Sequence, residues 1–251
     1  LDSAHSRPAE QIRTIRTNIN FAIADKSIKS IVISSPGPSE GKTTIASNLA
    51  MAFAKSGHRT VLVDCDLRRP SVHHYFASVP RDPGLANYLA NETTDVRTIL
   101  HQIQPQSIHV IPAGPTPPNP MELLGTHKMQ GLIERLKVDY DMVILDSPPL
   151  LAVSDAAVIA SESDAAVVVV EGHRTRSSAL QAALGILAKT QVDTLGVIVN
   201  KFKYKKFAHY YGYYYESYYT YSDRDDQPPT KPAIYGLFHK LIRKIRSIGR
   251  S

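Results

Sequence analysis

One cysteine, Cys65, stands in a chain of 251 residues. That excludes an intramolecular disulfide and suits a reducing compartment such as the cytoplasm. No apolar run approaches the ~20 residues that a spanning helix needs, and the opening residues show no charged-then-apolar targeting pattern. A cytoplasmic location is therefore expected. The ten histidines include no pair with metal-binding spacing; His73 and His74 are adjacent, so a histidine-based metal centre is not expected. With 43% hydrophobic and 21% charged residues, the chain has enough apolar material for one sizeable α/β domain, and nothing suggests disorder before residue 200.

The net charge of +6 is unevenly spread. Lys201, Lys203, Lys205 and Lys206 precede a tyrosine-rich stretch, and Lys240, Arg243, Lys244, Arg246 and Arg250 crowd the C-terminus. Such basic ends imply anionic company, whether a membrane face, an acidic partner or nucleic acid.

Apolar periodicity sets out the architecture. Ile12, Ile15, Ile19 and Ile23 recur at helical spacing, so residues 8–24 read as an amphipathic helix. A short β-branched strand from Ser30 to Ser35 then leads through a Gly/Pro turn into a helix from about Lys42 to Ser56, closed by Gly57. Thr60 to Asp64, Ile108 to Ile111, Met142 to Leu145, Ala165 to Val170 and Thr194 to Val199 are further strand-length runs separated by helical patterns. The fold expected is doubly wound α/β with a mainly parallel sheet. The expected organisation is a domain over 1–200, a flexible tyrosine-rich segment over 201–232, and a basic amphipathic helix over 233–251 that binds a membrane surface or partner, or packs on the domain itself.

Three motifs follow strands and describe one site. Ser35 to Thr44 matches the phosphate-loop pattern except that Pro36 stands where the strict consensus has its first glycine. Gly37, Pro38, Ser39, Glu40, Gly41, Lys42, Thr43 and Thr44 are the expected nucleotide-binding residues. Loop N–H groups would surround the β-phosphate, Lys42 would neutralise charge on the β- and γ-phosphates, and the Thr43 hydroxyl would ligate Mg2+. The second motif, Asp64-Cys65-Asp66, ends a buried strand in two carboxylates, and the third, Asp146-Ser147-Pro148, repeats the design with an aspartate suited to hold magnesium. ATP and Mg2+ are thus the expected cofactors. Cys65 is expected to point into the core.

These motifs, together with Glu10-x-x-Arg13-x-x-Arg16, Pro112-Ala113-Gly114, Pro118 to Leu124 and the tyrosine cluster, resemble the bacterial tyrosine kinases of capsule and exopolysaccharide synthesis. The likeness is to the separate cytoplasmic kinase proteins of Gram-positive bacteria and extends over nearly the whole chain. It implies a P-loop NTPase fold of deviant Walker type and an ATP-dependent tyrosine autokinase whose catalytic residues are Lys42, Asp64, Asp66 and Asp146. Within that set the resemblance makes Asp64 the general base towards a tyrosine hydroxyl, and Thr43, Asp66 and Asp146 the magnesium ligands. The phosphoacceptors implied are Tyr210, Tyr211, Tyr213, Tyr214, Tyr215, Tyr218, Tyr219 and Tyr221, modified by a neighbouring subunit in a homo-oligomeric ring whose interface includes Glu10, Arg13 and Arg16. The partners implied are a membrane chain-length regulator of the polysaccharide copolymerase type that activates the kinase, and a tyrosine phosphatase. The location implied is the inner face of the membrane.

The alternative is a switch ATPase of the MinD/ParA type without tyrosine kinase activity. Such ATPases carry a signature lysine at the position of Gly37, and this sequence does not. Lysines among the tyrosines also suit base stacking on single-stranded nucleic acid, but nucleic acid is not the expected partner. Taken without the resemblance, Glu10, Arg13 and Arg16 read as an exposed helix face with intrahelical charge pairs.

Overall fold

The computed structural model of the protein describes residues 7–24, 26–104 and 108–202. The eight clustered tyrosines and the basic helix expected over 233–251 lie outside the described residues. In chain order the elements are α1 (Arg7–Ile23), β1 (Ser30–Ser34), α2 (Lys42–Lys55), β2 (Thr60–Asp64), α3 (Leu85–Leu89), β3 (His101–Ile103), β4 (Ile108–Ile111), α4 (Pro120–Leu124), α5 (His127–Asp139), β5 (Met142–Asp146), α6 (Asp155–Ser161), β6 (Ala165–Glu171), α7 (Ser177–Thr190) and β7 (Asp193–Asn200). Single 3-10 turns occur at Val72–His74 and Val96–Thr98.

The strands form one seven-stranded sheet in the order β3-β4-β2-β5-β1-β6-β7. All pairings are parallel except β3 with β4. β1, β2 and β5 are buried at every position, which is why each reads as a continuous apolar run instead of an alternating one. Alternate side chains serve opposite faces. Ile31, Leu62 and Ile144 join Ile19 of α1 and Ile45, Leu49 and Phe53 of α2 on one side. Val32, Val61, Val63, Val143 and Leu145 join Leu85, Met129, Ile133, Ile159 and Leu187 from α3, α5, α6 and α7 on the other. Each fully buried side chain of this kind contributes ~1.5–3 kcal/mol, so both layers are held by the same strands.

The strand order positions the site. β2, β5 and β1 are neighbours, and in a parallel sheet their C-terminal ends lie along one edge. Asp64 is the register partner of Asp146, and Asp146 is that of Ile33. Residues from three distant segments therefore meet beside the turn that opens α2. The antiparallel β3 is three residues long and carries little apolar signal; the sequence reading did not anticipate it.

Candidate active site

The loop between β1 and α2 is built around two constrained residues. Gly41 has φ 95°, and a Cβ there would lie 2.1 Å from Asn200 Nδ2. Only glycine meets both demands, because the left-handed region costs other residues ~1–2 kcal/mol. Asn200, the last residue of β7, donates from Nδ2 to the Glu40 carbonyl at 3.0 Å, and Lys201 Nζ donates to the Ser39 carbonyl at 2.6 Å. Glu40 is buried; its Oε2 accepts from Gly37 N at 3.0 Å, and its Oε1 accepts from Thr175 Oγ1. The loop is thus pinned from inside by Glu40 and from the β6 and β7 ends by Thr175, Asn200 and Lys201. α2 has no side-chain cap at its N-terminus, which leaves its first N–H groups for an anion.

Lys42, Asp64, Asp66 and Asp146 converge behind this loop. Lys42 Nζ donates to Asp66 Oδ2 at 3.1 Å. Burial works against the lysine's charge, but Asp146, Asp66 and Asp64 together raise its pKa above the ordinary value. Asp64 is fully buried. Its Oδ2 accepts from Ser71 N at 3.1 Å and Val72 N at 3.0 Å, and its Oδ1 from Asp66 N at 3.2 Å. Burial, then the charge of Asp146, pushes its carboxyl up to about 8 in spite of those bonds. Burial likewise raises Asp146 to about 6, opposed by Lys42 and by the Thr43 hydroxyl.

Asp146 is the exception among these acids: the Thr43 hydroxyl faces it and lowers its proton affinity, but no hydrogen bond of good geometry reaches either of its sealed oxygens. A buried carboxylate without a donor is costly unless a cation compensates it. No group of three or more His, Cys, Asp or Glu fit for a metal occurs among the described residues; magnesium takes one or two carboxylates and completes its shell with water and phosphate. Thr43, Asp66 and Asp146 fit such an ion. The Thr43 hydroxyl accepts from Ser71 Oγ at 3.0 Å, and the Thr44 hydroxyl pairs with the Tyr75 hydroxyl at 2.6 Å. Cys65 is buried, as anticipated.

The chain matches the AAA domain family model over residues 28–194. It is 35% identical over 213 residues to CapB of Staphylococcus aureus, named a putative tyrosine-protein kinase, covering 85% of this chain and 92% of the relative. It is 40% identical over 206 residues to the tyrosine-protein kinase YwqD of Bacillus subtilis, covering 82% and 86%. The chain belongs to the bacterial tyrosine-protein kinase family. The kinase also superimposes on the chimerical protein CapA2B2 with a TM-score of 0.76 at 34% identity, over 80% of this chain and 88% of that one. A cell-division ATPase MinD from Pyrococcus furiosus matches at TM-score 0.59 and 24% identity, covering 68% of this chain and 71% of that one. This second likeness shows the P-loop ATPase fold alone.

Other residues singled out from sequence fall in varied places. Glu10 and Arg13 pair along α1 at 2.9 Å, and Arg16 Nη1 donates to the Ala52 carbonyl of α2 at 3.1 Å. Arg16 therefore braces the kinase's own fold. Pro112-Ala113-Gly114 receives α3: Leu85 N and Ala86 N donate to the Pro112 and Ala113 carbonyls at 2.7 and 2.8 Å. A Cβ on Gly84 would fall 2.3 Å from Gly114 N, so these two glycines mark a backbone crossing. Sequence reasoning did not find Ser71, Tyr75, Asn200, Lys201 or Thr175. Of these, Asn200 alone carried a signal, because it ends the last strand, and α/β sheets bind ligands at strand ends.

Proposed function

We propose that the protein is an ATP-dependent tyrosine kinase that phosphorylates the Tyr210–Tyr221 cluster of a neighbouring copy in the control of capsule or exopolysaccharide synthesis. One observation carries this reading: Lys42 is surrounded by three buried acids beside a phosphate loop with glycine at position 37. The names of the relatives CapB and YwqD support the activity. The glycine removes the lysine on which the switch-ATPase alternative depends.

In this reading the loop N–H groups and the N-terminus of α2 hold the β-phosphate, and Lys42 leaves Asp66 to neutralise the transferring group. Mg2+ would be held by Thr43, Asp66 and Asp146 and would supply charge neutralisation on the phosphates. Asp64 accepts the tyrosine proton. A free tyrosine has pKa ~10, and a buried carboxylate with raised proton affinity is a better base for it than an exposed one. The three N–H bonds to Asp64 hold its orientation.

Glu10, Arg13 and Arg16 are assigned to the subunit interface of a homo-oligomeric ring. Each phosphotyrosine adds about −1.5 to −2 charges, so the modified tails repel one another and loosen the ring; particle mass by light scattering before and after phosphorylation tests this, and an unchanged mass refutes it. A membrane chain-length regulator is the proposed activator, supported by the chimera whose name joins CapA to this kind of kinase, and a tyrosine phosphatase resets the cycle. The kinase then works at the inner face of the membrane, held there by its activator and by residues 233–251.

Incubation of the chain with Mg-ATP, with and without the activator, followed by tandem mass spectrometry, tests the whole reading. Phosphotyrosine between Tyr210 and Tyr221 that vanishes in Lys42→Met supports it. ADP release without phosphotyrosine under both conditions refutes it in favour of a switch ATPase.

A further inference from the structure

The phosphoryl site makes no use of the Pro118 to Leu124 motif. In the structure this segment opens α4 and, with Arg68, lines a cavity of about 260 Å³ whose wall is Arg68, Pro118, Asn119, Pro120, Met121 and Glu122. Arg68 belongs to the loop that follows Asp64 at the end of β2 and carries Asp66, two residues beyond Asp66. Its guanidinium is locked by two bonds to Asp155, Nε to Oδ2 at 2.8 Å and Nη2 to Oδ1 at 3.0 Å. Asp155 itself is fully buried, so the cationic plane is anchored in the core and its charge is balanced. Met121 is 42% exposed and its sulfur accepts from Ser154 Oγ at 2.8 Å; Asn119 Nδ2 donates to Glu122 Oε2 at 3.1 Å.

These walls suit one chemistry. Two prolines and a thioether offer an apolar surface to a ring, and an immobilised guanidinium offers a plane for stacking. Because Asp155 already balances Arg68, and Glu122 adds a negative wall, a phosphorylated ring is disfavoured and an unmodified one is preferred.

The geometry points to this cavity as a docking site for one aromatic ring of the Tyr210–Tyr221 segment of another copy, placing a tyrosine two residues away at the catalytic carboxylates. The inference rests on the tyrosine kinase reading above. The chain outside the described residues supplies the occupant, because Tyr211/Tyr213, Tyr213/Tyr215 and Tyr219/Tyr221 are each spaced by one residue. In extended peptide such pairs project to the same side, about 6.7 Å apart. The Cα atoms of Asp66 and Arg68 lie no more than about 7 Å apart, which sets the Arg68 wall of the cavity on the same short loop as Asp66. Clustered tyrosines thus act as both handle and acceptor, which a single tyrosine cannot do.

The test uses the full chain and peptides spanning residues 209–217 in which only positions 213 and 215 are aromatic, the other tyrosines being alanine. With Tyr215 as acceptor, phenylalanine or tyrosine at position 213 should give the same KM, and alanine there should raise it about fivefold, the scale of one ring–cation contact. The mirror set, Tyr213 as acceptor with position 215 varied, covers the opposite chain direction. Met121→Ala should raise KM for the paired peptides and abolish their advantage over the alanine peptide, while KM for ATP stays in place. Phosphorylation of all peptides with equal KM in both sets overturns the docking site and leaves the kinase reading standing. A pairing advantage that survives in Met121→Ala also overturns this cavity as its source. Absence of phosphotyrosine from every peptide while the chain still phosphorylates its own Tyr210–Tyr221 cluster overturns the docking site alone; absence from that cluster as well, with the activator present, overturns the kinase reading and the docking site with it.

Discussion

Replacing Gly41 by alanine introduces two separate costs, and the structure lets them be told apart. The first is conformational: at φ 95° an L-residue is strained by about 1–2 kcal/mol. The second is steric, because the new methyl would fall 2.1 Å from Asn200 Nδ2. Asn200 must then swing away, breaking its bond to the Glu40 carbonyl and the one its Oδ1 accepts from Lys201 N at 2.8 Å. Two such bonds are worth about 1–3 kcal/mol together. Gly41→Ala should therefore cost about 2–5 kcal/mol in the parent chain but only the strain, about 1–2 kcal/mol, in an Asn200→Ala background. The coupling in a double-mutant cycle should be about 1–3 kcal/mol, measured by urea unfolding of the nucleotide-free kinase. The same cycle read through ATP affinity by calorimetry should show the same sign, since in the proposed reading the loop holds the phosphates. Costs that add to within about 0.5 kcal/mol would refute the idea that Asn200 and Gly41 share one space.

Three further outcomes follow from the same physics. Asp146→Asn should abolish phosphoryl transfer and yet raise the Tm of the nucleotide-free chain at pH 8. The aspartate's folded pKa is raised to about 6 from 3.8, so its favourable contribution is complete below pH 3.8 and is lost as pH rises through 6; the Tm gain of the asparagine should shrink towards pH 4. Arg68→Ala should destabilise more than Asp155→Ala in chemical denaturation, because the first leaves a fully buried carboxylate unpaired and the second leaves a half-exposed guanidinium that water can reach. Equal losses would contradict the burial argument. Tyr140, packed edge-on against His109, has its pKa raised to about 12, first by burial and then by Asp139. Its contribution is whole below pH 10 and falls away as pH climbs through 12, so Tyr140→Phe should flatten the stability loss over that range in urea titrations.

Much of this protein was readable from its chain. Val61-Leu62-Val63 and Val143-Ile144-Leu145 are buried on both faces, so their apolar runs carried the strand assignment and the parallel sheet with it. The phosphate loop was legible because Gly41 is demanded by backbone conformation, a local property that a spacing rule captures. The three-residue strand β3 was not, since one antiparallel edge rung needs few apolar side chains. Nor were Thr175, Asn200 and Lys201, because a polar residue that pins a loop 135 to 162 positions away has no local pattern to betray it.

The division between the two kinds of information is physical. Residue order alone determined which side chains are the candidates for the chemistry, because glycine, lysine, threonine and aspartate suit a phosphate and its metal by charge and conformation. It also determined which segments are strands and helices, because apolar periodicity is local. Only the tertiary structure decided that Asp64 and Asp146 are register partners, that Asp66 holds Lys42, that Arg16 braces α2, and that no hydrogen bond of good geometry reaches Asp146. Those relations depend on the strand order β2-β5-β1 and on burial, and both arise when distant segments close over a shared core.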